Sequence, residues 1–148
     1  MSYNWQFGDG GQAFVANPVY TYQNPGIYSV ILTVTGYNNG EQRELVRSEI
    51  IEVYASAQAI FAATPEEVLV PQNPVNFINL SSNADEYLWN FGDGATSTEF
   101  SPDHFYQDIG TYSVSLWANN EYNCPDSILV VDLVMASALS NIEFPNAF

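Results

Sequence analysis

Tyr87-Leu88-Trp89-Asn90-Phe91-Gly92-Asp93-Gly94 decides how this chain is read. Tyr87, Trp89 and Phe91 alternate with Leu88 and Asn90, a period of two that puts the aromatic rings on one face of a β-strand. Gly-Asp-Gly follows at once. Glycine accepts positive φ without a Cβ clash, and an aspartate side chain can accept from its own turn backbone, so the strand must end in a tight reversal. The same octet stands 84 residues earlier as Tyr3-Asn4-Trp5-Gln6-Phe7-Gly8-Asp9-Gly10. The offset holds without a gap through Pro18/Pro102, Tyr22/Tyr106, Gly26/Gly110, Tyr28/Tyr112, Val30/Val114 and Leu32/Leu116, which makes the chain a tandem repeat.

Outward from the octet the period of two continues. Tyr112, Val114, Leu116 and Ala118 alternate with Ser113, Ser115 and Trp117, and Val75–Leu80 and Ser127–Val134 read as further strands. Ser101-Pro102 and the Asp108–Gly110 stretch are turns, and no segment keeps a helical period. Short strands at regular turn spacing predict an all-β protein of tandem immunoglobulin-like β-sandwiches. Tyr112, beside the Gly110 corner, matches the tyrosine-corner device of such folds. Over 57–134 the expectation is a complete two-sheet sandwich with Trp89 and Tyr112 buried and the Gly92–Gly94 turn exposed at one end.

Three segments are expected. Residues 55–135 form a complete repeat, and 136–148 are a linker. Residues 1–54 form an incomplete repeat, because Ala55–Glu86 precede the second octet strand whereas only Met1 and Ser2 precede the first. Lacking its first two strands, the first repeat should leave Trp5, Phe7, Tyr28, Val30 and Leu32 without cover. Strands from neighbouring repeats or other chains would then fill the gap.

Composition narrows the function. The net charge is −15, with Arg43 and Arg47 the only basic residues besides His104. Such a chain repels phosphate backbones and anionic bilayers, which argues against nucleic acid and direct membrane insertion. No apolar run reaches the roughly 18 residues of a spanning helix, and residues 1–20 lack the pattern of a signal peptide.

The sequence Trp89-Asn90-Phe91-Gly92-Asp93-Gly94, then Pro102, then Tyr106, then Gly110-Thr111-Tyr112-Ser113-Val114-Ser115-Leu116 resembles the signature of the PKD domain family. The resemblance covers Ala57–Val134 fully and 3–54 in part. It departs at His104-Phe105-Tyr106, where the family often has His-Thr-Tyr, and at Tyr20-Thr21-Tyr22 in the first repeat. It implies non-enzymatic modules of extracellular proteins: a stalk in a secreted cell-surface adhesin, or a glycan- or protein-binding accessory module of a secreted hydrolase. The tail Ile142-Glu143-Phe144-Pro145-Asn146-Ala147-Phe148 is similar to the opening of the sorting domain that follows the last PKD repeat in Bacteroidetes proteins exported across the outer membrane by the type IX secretion system, the class linked to gliding motility.

The chemistry-bearing residues offer few constellations. Asp9 and Asp93 are calcium candidates by residue type, but calcium takes six to eight oxygens, and one aspartate per turn without a ladder of acids reads as turn-building. Calcium is thus the sole cofactor considered, and no transition metal is expected. His104 is the only histidine, too few for a zinc site or a triad. Cys124 has no partner for an internal disulfide. Trp117 falls on the outward phase of its strand and is a contact candidate for surface glycans or proteins. Asp126-Ser127-Ile128 fits a short O-glycosylation acceptor pattern at Ser127, and equally a serine opening a strand. No nucleophile–base pair stands in a recognisable motif, so no catalytic residue is assigned.

Overall fold

The computed structural model describes residues 1–37 and 40–138. The tail that resembles a sorting-domain opening therefore lies outside the described residues. The chain divides into two compact units, the first Met1–Ala55 and the second beginning at Ser56. Among the described residues all regular structure is β-strand.

The second unit is a two-sheet sandwich. Strands β5 (Phe61–Thr64), β7 (Val75–Asn79) and β10 (Asp103–His104) form one sheet, in the order β10-β7-β5. Strands β6 (Glu67–Leu69), β8 (Glu86–Asn90), β9 (Thr96–Ser97), β11 (Gly110–Asn119) and β12 (Asp126–Ser137) form the other, in the order β6-β12-β11-β8-β9. Inward positions of both sheets meet in one core of Val68, Val75, Phe77, Trp89, Phe91, Tyr106, Val114, Leu116, Val134 and Ala136. Trp89 is fully enclosed, with Phe61 5.2 Å and Phe77 5.7 Å away across the sandwich. The Gly92–Gly94 turn is exposed, as the sequence predicts. Tyr112 is half-buried rather than buried: its ring lies along the corner, where the hydroxyl donates to the Asp108 carbonyl at 2.9 Å, the tyrosine corner itself.

The first unit reproduces the larger sheet alone. Strands β1 (Ser2–Gln6), β2 (Gln12–Ala13), β3 (Gly26–Thr35) and β4 (Gln42–Val53) lie in the order β2-β1-β3-β4, matching β9-β8-β11-β12. Among its described residues there is no counterpart of β5, β6 or β7. Tyr28 repeats the corner, donating to the Asn24 carbonyl at 2.8 Å.

A bulge recurs in both units. Val30 and Tyr28 oppose Arg47 and Ile51, just as Val114 and Tyr112 oppose Val130 and Val134. The extra residues place Glu49 (φ 50°) and Asp132 (φ 54°) in the left-handed region. Their backbone N–H groups donate to Ser29 Oγ at 2.9 Å and Ser113 Oγ at 3.0 Å, so a serine on the facing strand takes up the donor that the bulge removes from the ladder.

Candidate functional site

Three places concentrate side-chain chemistry. The first is the Gly-Asp-Gly turn of each unit. Gly92 sits at φ 86°, and a Cβ there would lie 2.4 Å from the Ser113 carbonyl oxygen, so only glycine lets the turn fold back on β11. The Asp93 carboxylate then accepts from the Ala95 N–H through Oδ1 at 2.9 Å and contacts His104 Nε2 through Oδ2 at 2.7 Å. The imidazole in turn lies flat on Phe91, ring centroids 4.1 Å apart. Burial pushes the Asp93 carboxyl up, but the Ala95 N–H and His104 outweigh it and hold it below the usual carboxylate range. In the first unit Tyr20 replaces His104. Its hydroxyl lies 2.9 Å and 2.8 Å from the two Asp9 carboxylate oxygens, and its ring stacks on Phe7 at 3.9 Å. The Gly11 N–H, then Tyr20, lower the Asp9 carboxyl, and Asp9 in return raises the Tyr20 phenol. Both aspartates are thus hydrogen-bonded anchors between the turn and the segment β10 occupies. No group of three or more His, Cys, Asp or Glu able to hold a metal occurs among the described residues.

The second place is the outer face of the larger sheet in the second unit. Trp117 is 37% exposed and lies opposite Leu88, itself 45% exposed, in the β11–β8 pairing. With Asp85, Glu86, Tyr87 and Thr98 they line a hollow of about 480 Å³. The strand β9 reaches only Trp89 and Asn90 of β8, so this hollow opens where β8 has no outer neighbour. Ser127 is exposed and opposes Trp117 on the other side of β11, while the Asp126 carboxylate accepts from the Ala59 N–H at 2.9 Å and ties β12 to the strand-free segment before β5.

The third place is the inward face of the first unit. Trp5, Phe7, Asn17, Pro18, Tyr20, Tyr22, Val30 and Ile51 surround an open hollow of about 390 Å³. The expectation that the whole face lies bare needs correction. Phe7 is buried, 6% exposed, because Tyr20 stacks on it, and Trp5, Tyr28, Val30 and Leu32 are half-buried. A ladder of aromatic contacts runs Trp5–Phe7–Tyr20–Tyr22–Tyr28, with neighbouring centroids 3.9 to 6.5 Å apart, and supplies part of the cover from within the unit.

Cys124 lies in the β11–β12 turn as a free thiol, partly buried, its N–H held by the Asn120 side chain at 3.1 Å. Sequence reading missed Ser29 and Ser113 as bulge partners, although both stand at the 84-residue offset, and missed Asp126 as the anchor of Ala59. Those roles rest on backbone N–H groups freed by tertiary geometry, which residue types alone do not reveal.

The family model for the PKD domain matches residues 1–50 and 57–134. Over 30 residues, 20% of this chain and 3% of the relative, the chain is 67% identical to Collagenase ColA of Bacillus cereus. Over 53 residues it is 42% identical to the pre-pro-metalloprotease PrtV of Vibrio cholerae, covering 33% of this chain and 6% of that one. It therefore spans a small fraction of the curated relatives it matches. A solved chain from work on carbohydrate-binding modules of the beta-sandwich superfamily superposes with a TM-score of 0.52 at 24% identity, covering 58% of this chain and 36% of that one, a likeness of fold.

Proposed function

The chain belongs to the PKD domain family, and we propose that it is a non-catalytic spacer, a length of stalk in an exported cell-surface adhesin. One observation carries this reading. In the second unit β6, near its start, lies beside β12, at its end, and the two run parallel, with Glu67, Val68 and Leu69 opposite Met135, Ala136 and Ser137. Met135 N–H donates to the Glu66 carbonyl at 2.8 Å, and Val70 N–H donates to the Ser137 carbonyl at 2.9 Å. A pull on the two ends of the unit drags these strands in opposite senses along a shared axis. Their hydrogen bonds are then loaded together in shear rather than broken one at a time, the geometry a tether under tension needs. The collagenase and metalloprotease relatives, and the resemblance of the tail to a sorting-domain opening, support export and a surface setting for this spacer, including a place in a gliding-motility protein.

A single-molecule pull on the chain tests this. Extending about 78 residues at roughly 3.5 Å each should add on the order of 25 nm when the second unit ruptures. Met135→Pro removes the donor that bonds the Glu66 carbonyl, so it should lower the rupture force. A force unchanged by that substitution, or turnover of collagen, casein or a polysaccharide by the pure chain, overturns the reading.

A second reading, an accessory module that binds glycan or protein beside a hydrolase, is favoured by the Trp117 hollow. An indole face stacked on the C–H face of a sugar, with Asp85 and Glu86 accepting from its hydroxyls, is the chemistry this hollow offers. Glycan-array binding that disappears in Trp117→Ala would favour it over the spacer, and a blank array would dismiss it.

A further inference from the structure

Both arginines of the chain stand on one strand. Arg43 and Arg47 lie on β4, and among the described residues neither guanidinium reaches a carboxylate, although the chain carries 17 Asp and Glu residues. β4 is also the outer strand of its sheet. Over 42–47 it pairs with β3 on one side, from Thr35 to Val30, and among the described residues with no strand on the other. Leu45 and Val46 are exposed there. The edge thus offers unpaired main-chain groups, apolar side chains and two cations without acidic partners.

The second unit has an edge of the opposite sign. β6 reaches β12 only at Met135, Ala136 and Ser137, so residues 126–132 have β11 on one side and no described strand on the other. That stretch reads Asp-Ser-Ile-Leu-Val-Val-Asp, an uncharged apolar run between two aspartates, and residues 55–148 hold no Lys or Arg. Leu129 is 61% and Val131 66% exposed. Free edges are commonly blunted by a lysine, a proline or a bulge; here the bulge comes only at the end, at Asp132. Arg47 opposes Val30 as Val130 opposes Val114, so the two free edges are the same stretch of the same strand in each unit.

The two edges fit in register. Leu45 and Val130 share the inward phase, opposite Leu32 and Val114, and Val46 and Leu129 share the outward phase, opposite Ile31 and Ser115. An antiparallel ladder keeps like phases together. Val46 on Leu129 then sets Leu45 on Val130 and Arg43 on Asp132, with Arg47 diagonal to Asp126. A slip of two residues sets Val46 on Ser127 in one direction and Leu45 on Asp132 in the other. The β12 edge paired with itself about Leu129 would bring Asp126 onto Asp132 twice, a repulsive arrangement. We propose that the chain binds a second copy of itself edge to edge, β4 of one copy adding antiparallel to residues 126–132 of the other.

The test is analytical ultracentrifugation of the whole chain at about 0.15 M salt, with a reductant that keeps Cys124 a thiol. The weight-average mass should rise above that of one chain as concentration approaches millimolar. Arg43→Glu with Arg47→Glu, and separately Leu129→Lys, should each weaken association about tenfold or more. All three positions are exposed. Mixed one to one, the two variants should pair again, because each keeps the edge that the other has lost. A measurement on the unaltered chain needs no variant to fold: the ¹H–¹⁵N signals of 43–47 and 127–131 should move together with concentration. The proposal is overturned by the mass of one chain at millimolar concentration, by either variant associating as the unaltered chain does, by a mixture no heavier than its parts, or by concentration-dependent shifts confined to other residues.

Discussion

Replacing Trp89 by alanine, and separately Trp5 by alanine, puts one residue type into two frames that differ chiefly in the opposing sheet. Trp89 is fully enclosed, with Phe61 and Phe77 5.2 Å and 5.7 Å away and its Nε1–H donating to the Glu99 carbonyl at 2.9 Å. Truncating such a residue costs about 3–5 kcal/mol in lost transfer energy and residual cavity. The aromatic pairs each add about 0.5–1.5 kcal/mol beyond area, so the upper end applies, near 5 kcal/mol. A domain of this size holds roughly 4–12 kcal/mol in all, so Trp89→Ala should remove about half or more of the second unit's stability. Trp5 is half-buried beside an open hollow. It stacks on Phe7 at 6.5 Å, donates to the Val15 carbonyl at 3.1 Å, and among the described residues of its unit meets no opposing sheet. The removed ring leaves no closed cavity, and the loss should be about 1–2 kcal/mol. Two units need not unfold together, so urea unfolding must be followed by resolved ¹H–¹⁵N signals of each. Equal losses at the two sites would refute the reasoning, because Trp5 would then be as enclosed as Trp89.

Gly92→Ala should cost more than Gly94→Ala. Both positions have positive φ, worth about 1–3 kcal/mol to a side chain, but only at Gly92 does a Cβ meet backbone, 2.4 Å from the Ser113 oxygen, while at Gly94 nothing lies within 4 Å. Equal urea midpoints would contradict this. Tyr106→Phe removes a buried hydroxyl that donates to the Phe91 carbonyl at 2.9 Å, and should cost about 1–3 kcal/mol for the orphaned acceptor; Tyr22→Phe, with the same bond to the Phe7 carbonyl in a half-open site, should cost less. The Asp93 carboxyl is lowered in the folded state, burial being outweighed by the Ala95 N–H and His104. Its contribution is therefore present above the unfolded value near 3.9 and is lost as pH falls through the lower folded value. Asp93→Asn should flatten the fall in stability of the second unit below about pH 4; an unaltered acid limb would show that the anchor contributes nothing.

The fold is legible in the sequence because its two strongest signals are local. Trp89 and Phe91 at a spacing of two, followed by Gly92-Asp93-Gly94, specify a strand and its reversal without reference to the rest of the chain, and the repeat shows that the specification is used twice. The Tyr112 corner and the outward Trp117 follow from the same alternation. What stays hidden depends on partners distant in sequence. Val19–Tyr20 and Asp103–His104 differ in strand assignment because only the second has β7 beside it, and no propensity in two residues could say so. The lack of its first two strands predicts a bare Phe7, yet it is buried, because the ring that covers it comes from Tyr20, in a segment without a strand, and is oriented by the bond to Asp9.

The anchored ring of Tyr20 helps the first unit hold a regular sheet with, among its described residues, no opposing one. At the position equivalent to Tyr20 the second unit has His104, which lies on Phe91 as part of the three-stranded sheet itself. A tyrosine reaches further, and its phenol end stays bonded to the Asp9 carboxylate while its ring covers Phe7. Tyr22 meets Tyr20 edge-on at 5.1 Å and stacks on Tyr28 at 4.3 Å, so one anchored ring orders the next. The polar ends face Asp9, the Phe7 carbonyl and the Asn24 carbonyl, and the ring faces stay toward the sheet. A face built this way is in part self-covered, which a bare row of leucine or valine would not be. The bonds of the Tyr20 hydroxyl to Asp9 thus hold the outer end of the ladder in place, and Tyr20→Phe should loosen it. That substitution keeps the stacking area but removes both bonds to Asp9, and the expected outcome is faster amide exchange across β1 with the sheet of the second unit unchanged. Unaltered exchange in β1 would mean that stacking alone holds the ladder.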